Sequence, residues 1–290
     1  MKPHAYRLVN VFTHGNDRFS GNPLCVFEDG AGLSDEAMQA LARQFNLSET
    51  TFILPPAAES PAPEDPAAAA LVRIFTPSYE MPFAGHPTLG TAQVCRALGL
   101  GEDELRLRML AGTIPVSAKG NRWTLTAPTS TAREVDESRA DLAAGLGLDE
   151  ADIGERPLWV DSGSEQLIVP LASESAVRQA VPNREALRKF QNRAGNSMAY
   201  VFHVGKGGKA LARFFFDQGT AMLEDPATGS ATANFGGWWV AMAKPLPCSL
   251  AISQGQYAQR PSTLYLDVSA ERRVTVSGEV MDVGRGVFEV

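Results

Sequence analysis

The sequence predicts an internally duplicated α+β protein with two pseudo-symmetric halves, each a mostly antiparallel, barrel-like sheet wrapped around one central helix. The predicted elements recur in one order: two strands, a helix, two strands, a polar loop, a helix and three strands. The two loops also match without a gap, since residues 79–86 read YEMPFAGH and residues 223–230 read LEDPATGS. Agreement of both features favours duplication over a chance likeness of two turns.

The halves are predicted to divide the chain near its middle. The first covers residues 1–127 and is joined by the last strand, within residues 280–290. The second covers residues 128–279. An active-site cleft is expected between the halves, because the two matched loops would both face it.

In the first half, β-branched and aromatic runs predict strands, and two apolar periodicities predict helices. Ser34 can cap the first helix and Asn46 suits a left-handed stop. Pro87 suits the first turn of the second helix, which Gly99 ends. Strands are predicted at residues 7–12, 24–27, 50–54, 71–76, 105–110, 113–118 and 122–127.

The second half repeats these signals. Helices are predicted near residues 138–146, at residues 184–193 with Asn183 as cap, and at residues 231–242. A last strand at residues 286–290 has no counterpart and is expected to return to the first half. The remaining strands are predicted at residues 158–161, 166–171, 199–204, 210–216, 250–253, 263–268 and 273–277.

Residues 55–70 read PPAAESPAPEDPAAAA and form a segment of low complexity. The segment has no periodic apolar face with which to join a core. It is therefore predicted to be an exposed, mobile connection between two strands, without a catalytic part.

Bulk composition narrows the functional class. The chain has 290 residues, 44% hydrophobic content and a net charge of -7, without a cluster of basic residues, so nucleic acid is not an expected partner. No run approaches the roughly 20 apolar residues that span a bilayer, and the first residues do not resemble a signal peptide. Three widely spaced cysteines predict reduced thiols in a cytoplasm, without a disulfide framework or zinc site.

Each matched loop places a glycine, Gly85 or Gly229, at the beginning of a helix. The first N–H groups of a helix lack internal partners and carry partial positive charge. Two such helix ends facing each other would form an anion pocket without arginine. The alternative is that the glycines and prolines only mark turns.

The differences between the copies indicate where chemistry lies. Asp225 stands where the first copy has Met81, and His86 stands where the second has Ser230. Glu49 lies between a helix and a strand, whereas the corresponding joint in the second half, residues 194–198, has no carboxylate. A duplicated scaffold with a one-sided reaction would differ at such places, which favours acid/base chemistry by Glu49 with Asp225 and His86 nearby.

Each of these three residues also has a purely structural interpretation. Glu49 could be a solvated turn carboxylate, Asp225 could start a turn before a proline, and His86 could cap a helix. The sequence contains no metal-ligand spacing of histidines and carboxylates, so no metal site is predicted.

Four motifs follow one another along nearly the whole chain. They are GNPL at residues 21–24, NLSET at residues 46–50, FAGHPTLG at residues 83–90 and EDPATGSA at residues 224–231. In this order they resemble the PhzF-like isomerase family of phenazine biosynthesis. The resemblance implies the diaminopimelate-epimerase-like fold, a homodimer, and a small-molecule carboxylate as substrate, with no metal or organic cofactor.

The resemblance also implies roles for single residues. Glu49 would move a proton within a small cyclic or conjugated carboxylic acid, with Asp225 and His86 as its catalytic partners. The substrate would be held by residues of the same motifs, namely Gly85, Gly229, Ser230, Ser48 and Asn22.

Two further functions remain open at this stage: a non-catalytic protein that binds metabolites or partners, and an epimerase that uses Cys25 or Cys95. Related amino-acid epimerases use one thiol at the beginning of each central helix. This chain has Ala84 and Thr228 at these positions, which disfavours a two-thiol racemase. The chain also lacks a glycine that the family often has before the sequence RPS, since Gln259 precedes Arg260. This substitution is expected to reshape the rim of the cleft.

Overall fold

The computed structural model describes residues 2–290 and divides into two compact units. Unit 1 consists of Met1–Thr126 with Ser277–Val290, and unit 2 consists of Ala127–Val276. Within residues 2–290, no helix combines the length and apolar character needed to cross a membrane.

Unit 1 contains two helices and a set of mostly antiparallel strands, and its last strand returns from the end of the chain. Its helices are α1 (Asp35–Phe45) and α2 (Gly85–Ala97). Its strands are β1 (Pro3–Val11), β2 (Asn22–Phe27), β3 (Thr50–Leu54), β4 (Ala70–Phe75), β5 (Glu80–Met81), β6 (Glu104–Met109), β7 (Gly112–Lys119), β8 (Arg122–Thr126) and most of β17 (Val274–Glu289).

Unit 2 has the same kind of composition with more short helices. Its helices are α3 (Arg139–Leu146), a 3₁₀ turn (Glu150–Asp152), α4 (Glu174–Gln179), α5 (Arg184–Leu187) and α6 (Gly229–Ala241). Its strands are β9 (Thr131–Arg133), β10 (Leu158–Asp161), β11 (Glu165–Pro170), β12 (Met198–Val204), β13 (Lys209–Asp217), β14 (Met222–Asp225), β15 (Cys248–Gln254) and β16 (Ser262–Val268).

The strand pairings of the two units follow one scheme, which confirms the predicted pseudo-symmetry. In unit 1, β2 runs parallel to β3, β3 antiparallel to β4, β4 antiparallel to β5 and parallel to β6, and β6 antiparallel to β7. In unit 2, β11, β12, β13, β14, β15 and β16 repeat this succession. The register therefore assigns counterparts to residues of the strands that pair in both copies.

A buried helix occupies the interior of each unit. In unit 1 every residue of α2 from His86 to Cys95 is buried, and in unit 2 every residue of α6 from Ala231 to Trp238 is buried. Glycines permit this close approach, because a Cβ at Gly90 would lie 2.6 Å from the Leu24 side chain. The predicted central helices are thus confirmed, and each begins at its loop glycine.

The residues that both loops share serve the fold. Glu80 of β5 forms a two-point ion pair with Arg73 of β4, at 2.6 and 2.7 Å. Glu224 of β14 pairs in the same way with Arg213 of β13, at 2.7 and 3.2 Å. Each guanidinium also lies over a phenylalanine of its own strand, at 5.0 and 4.7 Å from the ring centre. The repeated glutamate therefore anchors the loop to the sheet.

The helix ends and the final strand follow the predictions, with differences in length. Ser34 caps α1 by accepting from the N–H of Ala37, and Asn46 ends it at a φ of 51°. The last strand returns to unit 1, where its residues 280–289 pair antiparallel with β1. The helix predicted at residues 184–193 is wrong in extent, because α5 ends at Leu187. The short helix α4 was not predicted, since its six residues are too few to show periodicity.

The Pro/Ala-rich segment makes defined contacts that the sequence did not predict. The Arg108 side chain is 3% exposed, and its guanidinium donates five hydrogen bonds to main-chain carbonyl oxygens of this segment. These bonds measure 2.7–3.4 Å, and the acceptors belong to Pro56, Ala58, Ser60, Ala62 and Pro63. A planar group with five donors suits such a ring of carbonyls.

We expect Arg108→Met to release this segment, because the carbonyls around the lost guanidinium would remain turned toward a buried apolar side chain. The unfolding free energy should fall by roughly 2–4 kcal/mol. Limited proteolysis of the folded Arg108→Met variant should show cleavage within residues 55–66 that the wild type does not show. Arg106→Met is the matched control, because Arg106 is half-exposed and binds only the carboxylate of Asp65. Equal protease resistance of both variants would contradict the assigned role of Arg108.

Candidate active site

Glu49 occupies the short joint between α1 and β3. The left-handed Asn46 turns the chain out of α1, and Glu49 directly precedes Thr50, the first residue of β3. Its side chain is only 16% exposed, so Glu49 is not a solvated turn carboxylate. In unit 2 the strand register assigns this place to Met198, which carries no charge.

His86 lies in the first turn of α2, and the structure brings it against Glu49 as predicted. Its Nδ1 is 3.4 Å from Oε2 of Glu49, and its side chain is 6% exposed. Thr51 of β3 helps to hold α2 against this strand, because its hydroxyl is 2.8 Å from that of Thr91. The joint before β3 and the beginning of α2 are therefore packed together by buried contacts.

The electrostatic state of His86 follows from two opposing influences. Burial lowers the pKa of His86 to about 3, and the hydrogen bond to the Pro23 carbonyl offsets only part of this. The ring is only 6% exposed, so burial is the larger of the two influences. The ring is therefore neutral near pH 7, and it is a hydrogen-bond donor at one nitrogen and an acceptor at the other.

Both central helices begin without a side-chain cap. The N-cap of α2 is Ala84 and that of α6 is Thr228, and neither side chain accepts a bond from the first turn. Gly85 and Gly229 follow as the first helical residues. Each of these helix ends presents main-chain N–H groups and partial positive charge, which suits a carboxylate oxygen.

Asp225 ends β14 and is held by two residues of unit 2. The Thr228 hydroxyl donates to its Oδ2 at 2.5 Å. The fully buried Gln254 donates from Nε2 to the Asp225 carbonyl at 2.9 Å and to the Thr228 hydroxyl at 3.0 Å. Because the Thr228 oxygen accepts from Gln254, its proton is directed to Asp225. Sequence reasoning missed the role of Gln254 in holding Asp225, because 29 positions separate the two residues.

The remaining predicted residues differ in placement. Ser230 lies in the first turn of α6, where its hydroxyl accepts from Gln166 at 2.9 Å. Asn22 is 1% exposed and begins β2, next to the Pro23 carbonyl that faces His86. Ser48 is exposed beside Glu49. Within unit 1 the structure thus gathers Glu49, His86 and their loop neighbours, and within unit 2 it gathers Asp225 and Ser230.

The cysteines that an epimerase would need are chemically unsuited to proton transfer. Cys25 and Cys95 are fully buried in unit 1. Burial raises the pKa of the Cys25 thiol far above its usual range and that of Cys95 to about 12. Neither thiol is therefore ionised near pH 7, which counts against the epimerase alternative.

Gln259 stands where the family often has a glycine, and its φ of 56° lies in the left-handed region that glycine favours. The backbone at this position therefore has a conformation that glycine would adopt at little steric cost. The expected change at the rim of the cleft stays a prediction, and what the substitution adds is a glutamine side chain.

The buried His86 predicts a specific pH dependence of stability. Its folded pKa of about 3 lies below the value of about 6.5 in unfolded chains, so only the unfolded state gains a proton as the pH falls below 6.5. The contribution of His86 to the free energy of unfolding is fully present above pH 6.5. It decreases by ~1.4 kcal/mol per pH unit as the pH falls from 6.5 to 3.

Urea unfolding at pH 7 and pH 5 tests this dependence. The wild type should lose about 2 kcal/mol more than His86→Asn over this interval. His14→Asn is the control, because it removes an exposed imidazole from another part of unit 1. An unchanged pH dependence in His86→Asn would show that the His86 ring is not held neutral.

Comparison with known proteins places these features in a family. The family described as "Phenazine biosynthesis-like protein" (PhzC-PhzF) matches residues 9–286. An uncharacterized isomerase of Pasteurella multocida is 39% identical over 99% of this chain and 94% of its own length. A trans-2,3-dihydro-3-hydroxyanthranilate isomerase of Pseudomonas chlororaphis is 33% identical over 98% of this chain and 99% of its own length.

A solved structure supports the same fold. The crystal structure of the phenazine biosynthesis protein of the PhzF family from Bacillus anthracis superposes with a TM-score of 0.83, at 24% identity and complete coverage of both chains. The predicted diaminopimelate-epimerase-like α+β fold is confirmed. With its internal repeat, its buried helices and its isomerase relatives, the chain is an enzyme of the isomerase class and belongs to the phenazine biosynthesis-like PhzC-PhzF family.

Proposed function

We propose that this isomerase shifts a proton within a small cyclic or conjugated carboxylic acid, with Glu49 as the general acid and base. The observation that carries the proposal is the shielded Glu49 carboxyl, which lies 3.4 Å from the buried His86 at the beginning of α2. A relative of 33% identity is named for isomerisation of trans-2,3-dihydro-3-hydroxyanthranilate, a cyclic conjugated carboxylic acid.

In the proposed reaction, the ionised Glu49 takes a proton from a carbon that conjugation makes acidic. The same carboxyl then returns the proton to another carbon of the conjugated system. Such a positioned acid/base contributes roughly 10²–10⁴-fold to the rate. The reaction moves a proton and rearranges double bonds without net oxidation, so the side chains supply all of its chemistry and no cofactor is required.

The neutral His86 would support Glu49 without adding charge to a buried site. Because the Pro23 carbonyl can only accept, the ring nitrogen that faces it carries the imidazole proton, and the tautomer of His86 is fixed. A neutral ring leaves Glu49 able to exist in both its ionised and its protonated form. An imidazolium at the same place would hold Glu49 ionised and hinder return of the proton.

The substrate carboxylate would be bound by the first turns of the central helices. Gly85 and Gly229 bring main-chain N–H groups to these ends, and Ser230 adds a hydroxyl. Asp225, with its geometry set by Thr228 and Gln254, would accept a hydrogen bond from a donor group of the substrate. We propose that both sets of residues act on one substrate, in a homodimer in the reducing cytoplasm.

Glu49→Gln should lower turnover of trans-2,3-dihydro-3-hydroxyanthranilate by at least about 10²-fold, because the amide cannot accept the substrate proton. Proton NMR in deuterated water measures both conversion and entry of deuterium at a product carbon. Binding of 3-hydroxyanthranilate, the aromatic analogue, should change only a few-fold. The control is Glu59→Gln, which alters an exposed carboxylate in the Pro/Ala-rich segment.

Two results would count against the proposal. Turnover of the Glu49→Gln variant at the wild-type rate would remove Glu49 from the chemistry. Thermal stabilisation of the wild type by carboxylic acids, with no deuterium exchange into any of them, would instead favour a metabolite-binding protein.

The thiol-dependent alternative is tested separately. Iodoacetamide at pH 8 should leave activity unchanged, because Cys25 and Cys95 are buried and un-ionised. Only the partly exposed Cys248 should take up the reagent. Cys25→Ala and Cys95→Ala should keep full activity per folded molecule, although both lose stability through cavity formation. If iodoacetamide inactivates the wild type but not Cys95→Ala, the epimerase alternative would be supported.

A further inference from the structure

Four polar side chains of unit 2 form one chain of hydrogen bonds that ends at Ser230. The Ser162 hydroxyl donates to Oδ1 of Asn234 at 2.6 Å, and Nδ2 of Asn234 donates to Oε1 of Gln166 at 2.7 Å. Nε2 of Gln166 then donates to the Ser230 hydroxyl at 2.9 Å. Gln166 and Asn234 are 2% and 0% exposed, so the two amides are buried inside the unit.

The direction of this chain is set by a main-chain carbonyl. Nδ2 of Asn234 also donates to the carbonyl oxygen of Ser164 at 2.7 Å. Because a carbonyl can only accept, the amide nitrogen of Asn234 must face it, and the same nitrogen faces Gln166. Gln166 must then turn its oxygen toward Asn234 and its nitrogen toward Ser230.

This direction determines what the Ser230 hydroxyl can do. The hydroxyl has a single proton, and its oxygen is already an acceptor for Gln166. Ser230 therefore has to use its proton as a donor toward another group. It lies in the first turn of α6, directly after Gly229, where the N–H groups of the helix end favour an anion.

Unit 1 lacks this chain of hydrogen bonds, although its fold is the same. The strand register and the helix starts assign Leu24 to the place of Gln166, Gly90 to that of Asn234 and His86 to that of Ser230. There the contact is apolar, since a Cβ at Gly90 would lie 2.6 Å from the Leu24 side chain. The fold thus does not need two buried amides at this place, and burying them costs free energy unless every hydrogen bond is made.

We propose that Gln166 and Asn234 are positioning residues that make Ser230 an obligatory hydrogen-bond donor to a carboxylate oxygen of the ligand. This inference rests on the proposed function in one respect, the anionic ligand at the first turn of α6. The inference goes beyond the proposed function because it attributes the donor role of Ser230 to two buried amides, which do not themselves touch the ligand.

Two substitutions of Gln166 separate positioning from mere structural support. In Gln166→Glu the ionised carboxylate accepts from both Asn234 and Ser230, so the chain stays complete but the Ser230 proton is withdrawn from the ligand. We expect the Kd for 3-hydroxyanthranilate to rise roughly 10- to 100-fold at pH 8. The loss should shrink at lower pH, where the protonated carboxyl can donate to Ser230 as the amide does.

Gln166→Met should weaken the same binding only a few-fold, because Ser230 keeps its proton for the ligand. A structural role predicts the opposite order, since Met breaks two buried hydrogen bonds whereas Glu preserves both contacts. Unfolding by urea reports on this difference and should show Gln166→Met as the less stable variant. Weaker ligand binding by Gln166→Met than by Gln166→Glu would overturn the proposal.

A double-mutant cycle with Ser230→Ala excludes simple repulsion by the introduced charge. If Gln166 acts through Ser230, Gln166→Glu should cause no further loss of binding in the Ser230→Ala background. Repulsion between the carboxylate and the ligand would persist there, and a full 10- to 100-fold loss in that background would overturn the proposal.

A measurement without ligand keeps this inference separate from the proposed function. In NMR spectra, the side-chain amide protons of Gln166 should be protected from exchange, and Ser230→Ala should shift their signals and shorten their protection. Failure of the wild type to bind 3-hydroxyanthranilate would contradict the proposed substrate class alone. Gln166 signals that Ser230→Ala leaves unchanged would overturn the hydrogen-bond chain whatever the ligand.

Discussion

Burial of the middle of one helix in each unit is the constraint on which the rest of the structure depends. A helix surrounded by strands can present only its end to a ligand, so the first turns of α2 and α6 are the parts of these helices that can take part in binding. Close packing requires small residues along the helix, as at Gly90. The loops that lead into these turns must be held firmly, which the ion pairs of Glu80 and Glu224 accomplish in the same way in both units.

Duplication separates the residues that maintain the fold from those that we propose to carry chemistry. The arginine–glutamate pairs and the loop glycines occur in both copies, whereas Glu49, His86 and Asp225 each occur in one. The residues around these positions also differ between the two copies. His86 lies in the copy with apolar Leu24, which suits a neutral imidazole, and Ser230 lies in the copy with buried amides, which suits an oriented hydroxyl.

The sequence predicted those features that depend on local pattern or on the repeat. The central helices, the cap at Ser34 and the contact between Glu49 and His86 belong to this class. Interactions between residues far apart in sequence left no local pattern. Gln254 and Gln166 are 26 and 64 positions from their partners Thr228 and Ser230, and an isolated glutamine does not differ from a surface residue in sequence. Gln259 is a further case, since its left-handed φ of 56° is unusual for a residue other than glycine and its residue type did not predict it.

The hydrogen bonds of Arg108 explain how the repetitive Pro/Ala-rich segment can have a defined structure. The guanidinium binds only main-chain oxygens, and four of the five acceptors alternate along the chain, at Pro56, Ala58, Ser60 and Ala62. These hydrogen bonds use no side-chain atom of the segment. Any residue that allows this backbone path can therefore occupy a position there with little effect on the bonds. Insertion or deletion of a single residue would instead turn every second carbonyl away from the guanidinium. The contact with Arg108 therefore depends on the length of the segment more than on the identity of its residues.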